Sequence, residues 1–143
     1  MNQLLLVVAA YLIGSLSFAV IISKIMGLAD PRTYGSNNPG ATNVLRSGNK
    51  KAAALTLLGD ALKGWIAVFL AQLAAPRLGL GDATIAACAV AATIGHMWPV
   101  FFRFKGGKGV ATALGILLAL NAWMGLGLLT IWLFMAKVVK ISS

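Results

Sequence analysis

Four long apolar runs, at 4–23, 52–75, 83–102 and 110–136, set the limits on what this chain can fold into. A membrane-spanning helix needs roughly 20 apolar residues to cross a hydrocarbon core about 30 Å thick. Each of the first three runs fits one such helix. The fourth holds 27 residues, which at about 1.5 Å of rise per residue is nearer 40 Å. Asn121, Gly125 and Gly127 interrupt its middle. It reads as two short helices joined near residues 121–123, with one long tilted helix as the alternative. Composition agrees: apolar residues make up 59% of the chain and charged residues only 10%, with a mean hydropathy of +0.88. So few charges cannot cover the surface of a soluble domain of this size. The expected fold class is all-α, a polytopic integral membrane helix bundle, in one domain over residues 1–143.

Charge placement orients the spans. Lys24, Arg32, Arg46, Lys50 and Lys51 follow the first run, Arg103, Lys105 and Lys108 follow the third, and Lys137 and Lys140 follow the fourth. Arg77 lies alone on the other side, and Lys63 sits inside a run. Basic loops stay in the cytoplasm, so the N-terminus is expected outside. The last basic pair lies inside only if the fourth run crosses twice, which favours five spans over four. The first run has no basic leader and is too long for the apolar stretch of a secretory signal, so it is expected to be an anchor. Lone Cys88, among alanines, is expected to be a small packing residue. The net charge of +9 is concentrated in short loops beside spans, which points to phosphates and anionic head groups, not nucleic acid.

Two loops carry more than connection. The first runs from Tyr34 to Arg46 as YGSNNPGATNVLR. Gly35 and Gly40 allow close backbone approach, and Pro39 stiffens the turn. Ser36, Asn37, Asn38, Thr42 and Asn43 offer uncharged donors and acceptors. Thr42 is expected to cap a short helix that carries Arg46 one turn later. Such a loop suits a phosphate held by amides, hydroxyls and a guanidinium fork, while an ordinary polar turn remains the alternative.

The second loop runs from Gly95 to Thr112 as GHMWPVFFRFKGGKGVAT. Lys105 and Lys108 bracket Gly106 and Gly107, and Gly109 precedes the next helix. Glycine-rich backbone feeding a helix N-terminus makes an anion site, because free N–H groups and the helix dipole point the same way. It is not a P-loop, since Phe102 stands where the first glycine belongs and Gly109 where Ser or Thr belongs. It is not a His-x-x-x-x-Asp acyltransferase motif either, because Phe101 is the fifth residue after His96. Inside the second run, Asp60 and Lys63 share a helix face at i, i+3 and are expected to pair, as support for a polar pocket or as a register device. Trp98 and Trp123 read as interface anchors. One His and three Asp do not make a metal ligand set, and no cofactor is expected.

The two loops, over residues 35–46 and 95–112, resemble the first two signature motifs of the acyl-phosphate:glycerol-3-phosphate acyltransferases, the PlsY family, and the order and spacing of the apolar runs resemble the family along the whole chain. The resemblance implies transfer of a fatty acyl group from acyl phosphate to glycerol 3-phosphate, giving lysophosphatidate and inorganic phosphate. It implies a bacterial cytoplasmic membrane, with the loops at the cytoplasmic face and membrane lipid as surroundings. By position, Ser36, Asn43 and Arg46 are implied at the reaction centre with His96. Gly35, Gly40, Thr42, Lys105, Gly106, Gly107, Lys108 and Gly109 are implied in substrate binding, with His96 also beside the glycerol-3-phosphate phosphate. Members run on to a third motif carrying a His and an Asn. The chain as given stops at Ser143, so it is expected to be C-terminally incomplete, without part of its active site. The alternative function is a membrane transporter of a phosphorylated anion; a plain scaffold leaves the two loops unexplained. Oligomeric state is not legible.

Overall fold

The computed structural model describes residues 1–139; Lys140, one of the basic residues used to orient the last run, lies outside them. Seven helices follow in order: α1 (Asn2–Gly14), α2 (Phe18–Ile25), α3 (Ala41–Arg46), α4 (Lys50–Arg77), α5 (Asp82–Met97), α6 (Val110–Leu120) and α7 (Ala122–Lys137). A single 3-10 turn, Val100–Phe102, lies between α5 and α6. The all-α expectation holds for the described residues, and the chain is an integral membrane helix bundle. Large side chains such as Leu58, Leu62 and Val90 face outward, while Thr56, Asp60, Lys63, Thr84 and Thr112 are buried. That distribution is the reverse of a water-soluble bundle and suits a lipid surround.

α4 and the stretch 82–102 are each long and apolar enough to cross a membrane. The first run corrects the expectation of one helix. It is bent by 43° between α1 and α2, at the Gly14–Ser15 step and the extended Ser17 (φ −89°, ψ 94°). Adjacent Gly and Ser are a recurrent cause of kinks. The break frees the Leu16 carbonyl, which accepts a hydrogen bond from Lys63 Nζ of α4 at 2.5 Å. Hydrocarbon offers no water for such a group, so the lysine takes water's place.

The fourth run is split where expected. Asn121 (φ −158°, ψ 114°) ends α6 and caps α7, its side chain accepting from the Trp123 and Met124 amides. Gly125 packs directly on Leu118, side chain and Cα alike, although a continuous helix would hold the two roughly 10 Å apart. The chain therefore folds back at Asn121. Eleven and 16 residues reach only about 17 and 24 Å, so neither half matches a full hydrocarbon core in length.

Small residues set the spacing of the bundle. The main cluster joins Ala10, Ala67, Val68, Ala71, Cys88, Ala89, Ala91, Ala92 and Ile116, with Cys88 fully buried as a packing residue. Where α4 meets α6, a Cβ on Gly64 would fall 2.4 Å from Thr112 O, and one on Gly115 would fall 1.8 Å from Ala61 O. The two backbones touch through glycine on both sides. This is the close approach that drives helix association in lipid, where apolar burial gives no net gain. Gly14 and Gly95 do the same for α1 and α5.

Candidate active site

The first loop is wrapped around one side chain. Asn43, 1% exposed, donates from Nδ2 to Pro31 O at 2.7 Å and Tyr34 O at 3.1 Å. Its Oδ1 accepts from Ser36 N at 3.1 Å. Gly35 lies so close that a Cβ there would sit 2.2 Å from Asn43 Oδ1. Both amide donors are thus committed to backbone carbonyls, and Asn43 fixes where Ser36 stands. Ser36 itself is exposed. The expected Thr42 cap is corrected: Gly40 is the N-cap of α3, with no side-chain cap bond. Its extended backbone lets its own carbonyl accept from Asn43 and Val44 amides, which leaves Thr42 free in the first helical turn. Arg46, in the last turn of α3, is exposed.

The second loop folds back onto the end of α5. Gly107 N donates to His96 O at 3.1 Å. A Cβ on Gly106 would collide with His96 O and Met97 O, and one on Gly107 would fall 2.3 Å from His96 Nε2. The tandem glycines are therefore stacked against the last turn of α5 and the imidazole. Gly109 then adopts φ +80° as the N-cap of α6, a left-handed conformation that glycine takes without a Cβ penalty. The first amides of α6 have no partner inside the helix, and the first intrahelical bond at this end runs from Ala113 N to Gly109 O at 2.8 Å.

His96 is 6% exposed, and its Nδ1 lies 3.6 Å from Asp60 Oδ1. Lys63 Nζ approaches the same oxygen at 2.9 Å, with both side chains almost fully buried. The expected Asp60–Lys63 pair is present, and it is joined to more than expected. Through Lys63 it reaches the α1–α2 break, and through Asp60 it reaches the imidazole. Asp60 Oδ1 and His96 Nδ1 lie close without an aligned hydrogen bond between them.

These parts meet in a cleft of about 110 Å³. One water needs only about 10–15 Å³, so a small polar molecule fits. Ser36, Asn38, Gly40, Thr42, Asn43, Asp60, His96, Lys108 and Gly109 form its polar side. Val110, Ala111 and Leu114 of α6, Leu57 of α4, and Leu128, Leu129 and Trp132 of α7 form an apolar wall. Gly35, Arg46, Lys63, Lys105, Gly106 and Gly107 stand around this cleft without lining it. Asn38, one of the first loop's polar residues, joins the lining, whereas the apolar wall was missed from sequence. The wall carried no signal, because a leucine that faces lipid and one that faces a cleft look alike.

The fold and the cleft thus define an integral membrane helix bundle with an amphipathic cleft at one end. Residues 4–143 match the family described as glycerol-3-phosphate acyltransferase, and the chain belongs to that family. It is 72% identical over 137 residues to a glycerol-3-phosphate acyltransferase of Chromobacterium violaceum, covering 96% of this chain and 66% of that one. A Thiobacillus denitrificans protein of the same name is 66% identical over 143 residues, with 72% of its length covered. Among solved structures, the glycerol 3-phosphate form of PlsY, an integral membrane glycerol 3-phosphate acyltransferase, superposes with a TM-score of 0.84 at 42% identity, covering 95% of this chain and 66% of that one. Its lysophosphatidic acid form gives 0.82 at 40% identity, with 95% and 65% covered. The chain spans about two thirds of the length of these relatives.

Proposed function

We propose that the protein transfers a fatty acyl group from acyl phosphate to glycerol 3-phosphate, releasing lysophosphatidate and inorganic phosphate. The observation that carries this reading is the two-sided cleft. Its polar side is built from both glycine-rich loops, and its apolar wall comes from α4, α6 and α7. A reaction between a water-soluble phosphate ester and a lipid-soluble donor needs both surfaces in one place. The relatives solved in glycerol 3-phosphate and lysophosphatidic acid forms support the same substrates, and family membership favours acyl transfer over carriage of an anion.

Each part has a task in this scheme. The N-terminus of α6, with Gly109 and Lys108, receives the glycerol-3-phosphate phosphate through free amides and an ammonium. Lys105, Gly106 and Gly107 shape that half, and the glycine stack sets the position of His96. Ser36, Thr42, Gly40 and the Gly35 turn, ordered by Asn43 and flanked by Arg46, receive the acyl phosphate. Its chain lies along Leu114, Leu128, Leu129 and Trp132. The glycerol hydroxyl oxygen attacks the acyl carbonyl carbon, the bond from that carbon to the phosphate oxygen breaks, and its electron pair leaves with phosphate. A substrate phosphate oxygen takes the hydroxyl proton. Acyl phosphate is a mixed anhydride with a good leaving group, so holding two anions together is the main demand. Asp60 and Lys63 hold His96 and the α1–α2 break in place.

The distribution of basic loops supports a cleft facing the cytoplasm from a bacterial cytoplasmic membrane, with the N-terminus outside; five spans require the short α6 and α7 each to cross where the bilayer thins around them. The test uses membranes carrying the full-length polypeptide, labelled glycerol 3-phosphate, and either acyl phosphate or acyl-CoA. Lysophosphatidate from acyl phosphate alone supports the assignment. Uptake of label into sealed vesicles without product replaces it with transport.

A further inference from the structure

The turn Asp30–Pro31–Arg32, ahead of the first loop, touches both halves of the cleft and lines neither. Pro31 is fully buried, and its carbonyl is one of the two held by Asn43. Arg32 N donates to Asp30 Oδ1 at 2.9 Å, and the guanidinium forks onto the same carboxylate, Nε at 3.0 and 3.2 Å and Nη2 at 2.6 Å. A guanidinium held this way is fixed in direction. It aims Nη1 across the site to Phe102 O, 3.1 Å away in the second loop. The charge also sits 5.9 Å from the Phe102 ring centroid, at the outer limit for a cation–π contact.

Phe102 O is an informative acceptor. It also receives Lys105 N at 3.2 Å, closing a four-residue turn whose central residues, Arg103 and Phe104, have φ of 56° and 58°. Turns with two positive φ values ordinarily take Asn and Gly, and a bulky residue there is strained. Such strain persists only where neighbours hold it. Phe104 N to Pro99 O, at 2.9 Å, is one hold within the loop, and Arg32 is the hold from outside it. The turn delivers the chain into Lys105–Gly109, the half of the cleft read above as the phosphate site.

We propose that Arg32, aimed by Asp30, is a positioning residue that straps the two loops together and holds the strained Arg103–Phe104 turn closed, so that it sets affinity for glycerol 3-phosphate without touching it. This rests on the acyl-transfer reading for its kinetic consequence but not for its structural one. Arg32→Lys keeps the charge and loses the fork. Asp30→Asn keeps the shape and loses the aim.

In the full-length polypeptide in lipid vesicles, both single variants should raise KM for glycerol 3-phosphate by about tenfold, the equivalent of ~1.4 kcal/mol, with kcat little changed. The double variant should be no worse than Arg32→Lys alone, because both changes break one device. Amide exchange across residues 103–108 should quicken in all three variants while α4 and α5 stay protected. An unchanged KM, additive effects, or a normal KM in Arg32→Lys with a defect only in Arg32→Ala overturns the strap; the last result would make Arg32 a plain cation. If the unaltered protein makes no lysophosphatidate, the acyl-transfer reading fails and exchange alone judges the strap. Faster exchange at 103–108 then sustains it, and unchanged exchange overturns it.

Discussion

Replacing Gly115 by alanine tests the central packing claim, that α4 and α6 meet backbone to backbone. An added Cβ would stand 1.8 Å from Ala61 O, 2.7 Å from Ala61 C and 3.0 Å from Trp65 N. Ordinary contact begins near 3.4 Å, so α6 must retreat by about 1.6 Å from α4. All three obstructing atoms are backbone, so no rotamer change relieves them. Overpacking of this kind costs ~1–3 kcal/mol, and lost close packing between the helices adds to it. Against this, alanine gains ~1 kcal/mol over glycine in a helix interior. The upper end of the cost applies to a clash with main chain, leaving Gly115→Ala less stable by ~1–2 kcal/mol. Gly127 is the control: it lies on α7 with nothing within 4 Å of a Cβ, and Gly127→Ala should gain up to ~1 kcal/mol. Unfolding of both variants in one detergent should separate them by ~1–3 kcal/mol, with Gly115→Ala below the parent and Gly127→Ala at or above it. Equal stability of the two variants would refute the α4–α6 contact. Because α6 also carries Val110, Ala111 and Leu114 to the cleft, acyl transfer should fall with Gly115→Ala and not with Gly127→Ala.

Gly107→Ala should displace the His96 imidazole by about 1 Å, given a Cβ 2.3 Å from Nε2; the expected result is a raised KM for glycerol 3-phosphate with little change in unfolding temperature, read by kinetics alongside a melt. Asn43→Asp should be worse than its size suggests, because a carboxylate oxygen replaces a donor facing Pro31 O and Tyr34 O. Loss of those bonds with repulsion in their place should cost ~2–4 kcal/mol and most activity, and near-normal turnover would remove Asn43 as organiser of the loop. Asp30, in the loop outside the spans, is held below its ordinary value of 3.8 by its hydrogen bonds to Arg32, against opposing burial. A depressed carboxylate stabilises the fold above its ordinary value and loses that contribution as pH falls through the lowered one. The strap should therefore be constant from neutral pH down to about 4 and fail only in stronger acid, checked by amide exchange at 103–108 across that range.

What the sequence determined by itself was local. Apolar runs long enough to cross hydrocarbon identified a membrane bundle, and Asn121 between two apolar segments marked a break, because an Asn in lipid must find partners and finds them in the Trp123 and Met124 amides. Crowded glycines with lysines singled out the second loop, and the i, i+3 spacing named the Asp60–Lys63 pair. Tertiary structure decided the rest. The bend at Gly14–Ser15 exists because Lys63, 47 residues away, satisfies the freed Leu16 carbonyl. Asn43 became an organiser because Pro31 and Tyr34 present carbonyls to it, and Arg32 became a strap because Phe102 lies 70 residues away in sequence and 3.1 Å away in space. The apolar wall of the cleft was the least legible part. Lipid is as apolar as a protein core, so a leucine pattern along α7 does not reveal which face meets a bilayer and which lines a cleft; only the fold-back at Asn121, which brings Leu128, Leu129 and Trp132 beside α6, decides it.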